Sequence, residues 1–198
     1  MEFKPFPKMP RLRRDCIITE KIDGTNASIL IVPEVDLHGQ WDDQLVVKND
    51  GLFMFAGSRT RFVTPKADNY GFANWVLANA LELFKLGPGH HFGEWWGQKI
   101  QRGYDLKEKR FSLFNTDRWK PDTTPACCSV VPVLFEGIFN ERSTEDAINT
   151  LKDEGSKAAP GFMDPEGIVI WHVAANMGFK RTIKDDEAPK GLQKSPSN

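Results

Sequence analysis

The chain has 198 residues, with 26 Lys plus Arg against 27 Asp plus Glu and a formal net charge of −1. That balance excludes a globally basic nucleic-acid coat but leaves room for a local basic groove. Hydrophobic residues make up 40%, with 14 Phe and 6 Trp, which excludes a wholly disordered chain and supports a core without a disulfide or metal staple. No apolar run approaches the ~20 residues of a membrane helix, and the N-terminal MEFKPFPKMPRLRRD lacks the apolar stretch of a secretory signal. Cys127 and Cys128 adjoin while Cys16 is remote, which is neither a disulfide framework nor zinc spacing and suits a reducing cytoplasm. His38, His90, His91 and His172 show no metal-ligand spacing.

In chain order, Cys16 to Ile18 and Ala27 to Val32 read as strands flanking the polar KIDGTN. Asp36 to Asp43 is a polar turn, Gln44 to Lys48 another strand, and Phe53 to Phe62 a strand-like segment. Phe72, Trp75, Val76, Leu77, Ala80, Leu83 and Phe84 have helical spacing, which predicts a helix over Asn69 to Leu86, stopped by Gly87 to Gly89. His90 to Gly97 and Phe111 to Phe114 are further strands, and Asp122 to Ser129 is a loop. Ser143 reads as the N-cap of a helix with an acidic first turn that runs to Asp153 and ends at Gly155. Gly167 to His172 and Gly178 to Lys184 are late strands. From Asp185 the chain is polar and Pro/Gly/Ser-bearing, so residues 185–198 read as a loose tail. Mainly antiparallel strands with inserted helices give an α+β class, with residues 1–184 as one domain.

The sharpest feature is Glu20-Lys21-Ile22-Asp23-Gly24-Thr25-Asn26. A lysine lies between two strands beside two carboxylates, and a glycine permits close backbone approach. The same Asp-Gly also reads as an ordinary hairpin turn. The segment resembles motif I of the covalent nucleotidyltransferases, the polynucleotide ligases and mRNA capping enzymes. Asn26 in its last position is similar to the RNA ligase 2-type family, where DNA ligases usually carry arginine. The other motifs follow in order. Ser58-Arg59-Thr60 resembles motif Ia. FGEWWG, with Glu94, resembles motif III, and Phe114 in RFSLFN lies twenty residues further on. Glu166-Gly167 in PEGIVIW resembles motif IV; Glu136-Gly137 in LFEGIF is a decoy without the basic segment behind it. GFKRTIK resembles motif V, but its lysines, Lys180 and Lys184, are four apart where the family has two, with Thr182 between. On a strand all three would share one face.

The resemblance runs from Cys16 to Lys184. It implies a nucleotidyltransferase domain, ATP-grasp-like, of mainly antiparallel sheets with the nucleotide in the cleft between them. It implies ATP and Mg²⁺ or Mn²⁺ as cofactors, and catalytic roles for Lys21, Asp23, Glu166 and Lys180. Lys21 would take AMP from ATP, pass it to a 5′-phosphate end, and a 3′-hydroxyl would displace it to seal the strand. A lysine nucleophile must attack as the neutral amine, which desolvation and nearby cations favour. Glu166 is therefore expected on the metal rather than paired directly to Lys21. Glu20 and Ile22 (by main-chain groups), Asn26, Arg59, Glu94, Lys180 and Lys184 would bind ATP. The Phe114 ring would either stack on adenine or pack in the core, with Phe111 the core residue of that strand.

Residues 99–120 carry seven basic side chains against three acidic ones. Lys99, Arg102, Lys109 and Arg110 there, interleaved with Trp95, Trp96, Tyr104 and Trp119, would suit a sugar-phosphate backbone and stacked bases; the alternative is a charged loop over core tryptophans. Lys8, Arg11, Arg13 and Arg14 form a weaker basic candidate. Fourteen residues follow Lys184, too few for the OB-fold or helical domain beyond motif V in known ligases. The expected partners are RNA or nicked duplex ends, with room for a partner protein in place of that domain. A minimal DNA ligase, a non-catalytic nucleotide- or nucleic-acid-binding module and an ATP-dependent protein modifier are the alternatives.

Overall fold

Alternating apolar residues build two sheets here, each with one face packed on an apolar core; the other face of the larger sheet is partly covered, with Phe55 and Trp96 buried on it. The structure is a computed structural model, and it describes residues 2–184 and 186; apart from Asp186, the tail expected from residue 185 lies outside the described residues. Strands β1 (Asp15–Lys21), β2 (Thr25–Pro33), β3 (Val47–Asn49), β4 (Leu52–Ser58) and β5 (Phe62–Val63) precede helices α1 (Phe72–Ala78) and α2 (Ala80–Leu83). Strands β6 (Gly89–Gly97), β7 (Lys109–Leu113), β8 (Cys128–Val130) and β9 (Val133–Ile138) follow, then helix α3 (Glu141–Glu154) and strands β10 (Gly167–His172) and β11 (Met177–Thr182). This is the expected α+β class with mainly antiparallel sheets. Among the described residues no helix is long and apolar enough to cross a membrane.

The chain gathers into two compact units, one joining the residues up to Lys21 with those from Pro132, the other Ile22–Val131. In the first, an antiparallel sheet has the order β11-β10-β1-β9. Cys16, Ile18, Ile168 and Ile170 pack against Ala147, Ile148 and Leu151 of α3. The α3 cap is Asn140, whose side chain accepts from the Ser143 N–H at 2.8 Å, and not the expected Ser143, whose hydroxyl donates back to the Asn140 carbonyl. Two good cap formers three residues apart compete, and the earlier one wins a full extra turn.

In the second unit the order is β3-β4-β2-β6-β7-β8, with β5 beside β4. Only the β7–β8 pairing is parallel. Ala27, Ile29, Ile31, Met54, Ala56, Trp95, Phe111 and Leu113 face a core closed by Phe72, Ala73, Val76 and Leu83. The helix expected over Asn69 to Leu86 is shorter and broken. It starts at Phe72 because the Asp68 carboxylate takes the N–H groups of Ala73 and Asn74. It breaks at Asn79, whose side-chain amide donates to the Trp75 carbonyl that should accept only a helical N–H. The strand expected at Gln44 to Lys48 shrinks to β3, because the N–H groups of Gln44 and Leu45 both turn back to the Trp41 carbonyl.

His91 is 3% exposed and its Nε2 lies 2.9 Å from the Gly87 carbonyl, so Nε2 carries the proton and donates. Burial pushes this imidazole below its ordinary range, outweighing the Gly87 hydrogen bond that raises it. A depressed histidine contributes stability present above its unfolded value near 6.5 and lost as the pH falls below it. Denaturant unfolding should therefore show stability decreasing from pH 7.5 to 5.5, by at most about 1.4 kcal/mol per pH unit for one proton. His91→Gln should flatten that slope, and an unchanged slope would count against the assignment.

Candidate active site

Strand β1 ends on Lys21. Its alternation sets Cys16, Ile18 and Glu20 on the α3 side of the sheet, and Ile17, Thr19 and Lys21 on the open side. Lys21 lies opposite Gly167, which lies opposite Thr182; two rows away, and so on the same face, Thr19, Val169 and Lys180 align. Lys21 and Lys180 therefore share the open face. The Lys21 ammonium donates to Glu166 Oε2 in a close ion pair, with the two side chains 23% and 17% exposed. This differs from the expectation that Glu166 stays off the lysine. Glu166 stands one residue before the position opposite Lys21 and just outside β10, where strand alternation no longer directs its side chain and it can turn to the lysine. Gly167 is required there: a Cβ would come within 2.2 Å of the Arg181 carbonyl oxygen.

The Glu20 side chain is 1% exposed and accepts from Ser156 Oγ at 2.6 Å and from the N–H groups of Lys157 and Ala158 at 2.8 and 2.9 Å. Burial pushes its carboxyl above the usual range, and these hydrogen bonds oppose that shift. Its own N–H is engaged with the Pro132 carbonyl. Strand β11 ends at Thr182, so the shared face expected for Lys180, Thr182 and Lys184 stops there; Lys184 instead donates to Asp164 at 2.6 Å.

In the second unit, Ile22 is buried and the Asp23–Gly24 link leads into β2. Because β1 and β2 belong to different sheets, KIDGTN is not a hairpin turn. Gly24 lies hard against β6, where a Cβ would meet the Trp95 carbonyl oxygen at 2.5 Å and Trp96 Cβ at 2.7 Å. The Asp23 N–H donates to Tyr104 Oη at 2.8 Å, and Arg102 Nε donates to Asp23 Oδ2 at 3.0 Å. Asn26 pairs with Glu94, which pairs with Ser112, so their side chains share the face of this sheet opposite its core; Asn26 and Glu94 are half-buried there, while Ser112 is buried and accepts from Trp96 Nε1. The register continues from Ala27–Ser58, which sets the exposed Arg59 in the turn after β4, next to that row. The next row on the same face is Gly57, Ser28 and Phe92, two residues further along, and the Phe114 N–H donates to the Phe92 carbonyl. Phe114 is 39% exposed while Phe111 is fully buried, so Phe114 is not a core residue.

Two residues outside the motifs stand on the same face: Phe92, half exposed beside Phe114, and His90, which lies 2.9 Å from Ser28 Oγ. The alternation His90, Phe92, Glu94 on one strand is the signal that carries them. The aromatic part of the expected nucleic-acid surface is not available: Trp95, Trp96 and Tyr104 are each 1% exposed and Trp119 9%. Packing claims these rings because they extend the core or brace the loop after β6. Of the basic residues there, Lys99 is exposed, Lys109 donates to the Tyr70 carbonyl, Arg110 pairs with Glu108 and Arg102 with Asp23. Among the described residues no group of three or more His, Cys, Asp or Glu gathers as a metal site.

Gly24→Ala puts a methyl group against backbone, where overpacking costs about 1–3 kcal/mol. At about 2–4 °C per kcal/mol, its Tm should fall by roughly 2–12 °C; an unchanged Tm would show that β6 yields easily.

The RNA ligase family model matches residues 14–184. No curated protein matches the chain. Solved structures of the Naegleria gruberi RNA ligase share the fold. A mutant solved with ATP and Mn is 18% identical with a TM-score of 0.57, over 87% of this chain and 51% of that one. A mutant with AMP and Mn is 18% identical with a TM-score of 0.52, over 86% and 50%. An apo mutant is 18% identical with a TM-score of 0.55, over 85% and 49%. The chain thus spans about half the length of these ligases, and at such identity the likeness speaks for the fold. Because the family match runs from just before β1 to just beyond β11, the chain belongs to the RNA ligase family.

Proposed function

We propose that this chain is the adenylation domain of an ATP-dependent RNA ligase, acting in the cytoplasm through a lysyl-AMP intermediate on Lys21. The observation that carries this is the array Lys21, Glu166 and Lys180 on one open sheet face, a nucleophile beside a carboxylate and a second cation. Lys21 Nζ attacks the α-phosphorus of ATP; the N–P bond forms as the P–O bond to pyrophosphate breaks, and the amine gives up its proton. Lys180 offsets charge that develops on the phosphate oxygens. Lys184 would join it only by leaving Asp164. Asn26, Arg59 and Glu94 bind sugar and phosphate oxygens, the arginine by its fork, and Phe114 stacks on the base. AMP then passes to a 5′-phosphate end, and a 3′-hydroxyl displaces it. Lys99, Lys109 and Arg110 supply contacts to the strand backbone.

The related ligase structures with ATP and Mn support a divalent ion as part of this chemistry. The donor set fits Mg²⁺ or Mn²⁺, which binds through one or two carboxylates together with substrate phosphates and water rather than in a dedicated cage; Glu166 would be the carboxylate that holds it. Such an ion would neutralise phosphate charge and compete with Lys21 for Glu166, favouring the neutral amine.

The test offers nicked duplexes, with RNA or DNA on the 3′-hydroxyl side, to the protein with ATP and Mg²⁺. Wild type should yield 5′-adenylylated strand and joined product, more with RNA, and Lys21→Ala should yield neither. Joining by the Lys21→Ala variant would overturn the proposal, and preferential sealing at DNA ends would replace RNA ligation with DNA ligation.

A further inference from the structure

Asp23 is two residues from the nucleophile, and residues that follow β6 hold it. The segment from Gly97 to Leu106 is an unusual piece of backbone. Lys99, Gln101, Tyr104 and Asp105 all have positive φ, at 61°, 47°, 53° and 54°. Non-glycine residues hold that conformation only where the surroundings fix it. Here the surroundings are evident. Ile100 is fully buried in the core, the Gln98 N–H donates to the Glu108 carbonyl at 2.9 Å, and the N–H groups of Ile100, Gly103 and Leu106 each donate three residues back. Tyr104 is 1% exposed, with its ring edge-on to Trp96 at 4.9 Å.

This braced loop delivers two groups to Asp23. Tyr104 Oη accepts the Asp23 N–H, and Arg102 Nε donates to the Asp23 carboxylate. One residue is thereby held at both main chain and side chain. With no hairpin partner strand to take the Asp23 N–H, a side-chain oxygen serves in its place. Gly24, pressed on β6, fixes the next residue in the same way.

We infer that Tyr104 and Arg102 are positioning residues for nucleotidyl transfer: they act through Asp23, holding the peptide after the nucleophilic lysine in its reactive arrangement. Tyr104 then serves the reaction although its ring lies in the packed interior, and Arg102 serves it from within rather than as a strand-binding cation. The inference rests on the lysyl-AMP reading, but its structural half is measurable without activity.

The experiment compares wild type, Tyr104→Phe and Arg102→Gln, in the full chain. Amide hydrogen exchange of the peptide containing Asp23 should accelerate about tenfold or more in Tyr104→Phe, which keeps the ring and removes the hydroxyl that accepts the Asp23 N–H. Exchange in β2 and β6 should stay unchanged. In single-turnover self-adenylylation both variants should be slowed about tenfold or more, with the half-saturating ATP concentration within about twofold of wild type. Arg102→Lys should recover part of the loss. Unchanged Asp23 exchange in Tyr104→Phe overturns the inference, as does a defect confined to ATP affinity. A wild-type chain without any adenylylation sinks the lysyl-AMP reading and the positioning role with it, while the exchange result separately decides whether the clamp exists.

Discussion

The register of β1 between β9 and β10 is the constraint on which the lysine-bearing unit depends. Sheet residues alternate, so a slip of one position would bring Lys21 to the α3 side and Glu20 to the open face. The structure blocks that slip chemically. Glu20 is a buried carboxylate, and a buried charge without partners is costly. Its three donors come from Ser156, Lys157 and Ala158, in the connection between α3 and β10. Those donors exist only on the α3 side, so the strand has one register in which Glu20 is satisfied. In that register Lys21 lies opposite Gly167, and Glu166 falls beside it. The apolar members of β1, Cys16 and Ile18, favour the same side by packing against α3.

A second constraint operates in the unit of Ile22–Val131. Gly24 touches the backbone of β6 so closely that no side chain fits, and Asp23 is held by Tyr104 and Arg102. The segment from Glu20 to Gly24 is thus held residue by residue on either side of the lysine. Glu20 and Asp23, both acidic and three apart, do different work. One satisfies buried donors and sets a register, and the other receives an arginine and a backbone anchor. Sequence proximity alone assigns neither role.

Much of this was legible beforehand because it is local. The two-residue alternation in β1, β2, β6 and β10 and the Glu166-Gly167 pair before a strand are properties of a few neighbouring residues. What escaped depends on distant partners. Strand β8 has three residues and pairs in parallel with β7, so it carries no readable period. Strand β9 is recognisable only once β1, more than a hundred residues earlier, is known to lie beside it. The Asp-Gly turn signal misleads because its flanking strands go to different sheets. The aromatic residues among the basic ones suggested stacked bases, yet nothing local reveals that Trp96 would be sealed against Tyr104 and Ser112. The Tyr104 hydroxyl, eighty-one residues from its donor, is the extreme case.

The ion pair between Lys21 and Glu166 runs against the expectation for a chemical reason: a nucleophilic lysine attacks as the neutral amine, which a neighbouring carboxylate disfavours. The structure nonetheless pairs Lys21 with the Glu166 carboxylate. Under the proposed chemistry, a change of partner at Glu166 would free Lys21 for attack. The most direct measurement is peptide mapping by mass spectrometry after incubation with ATP and Mg²⁺ and removal of free nucleotide. A single adenylyl group is expected, carried by Lys21 and released by pyrophosphate. An adenylyl group on Lys180 or Lys184, or a chain that stays unmodified, would contradict it.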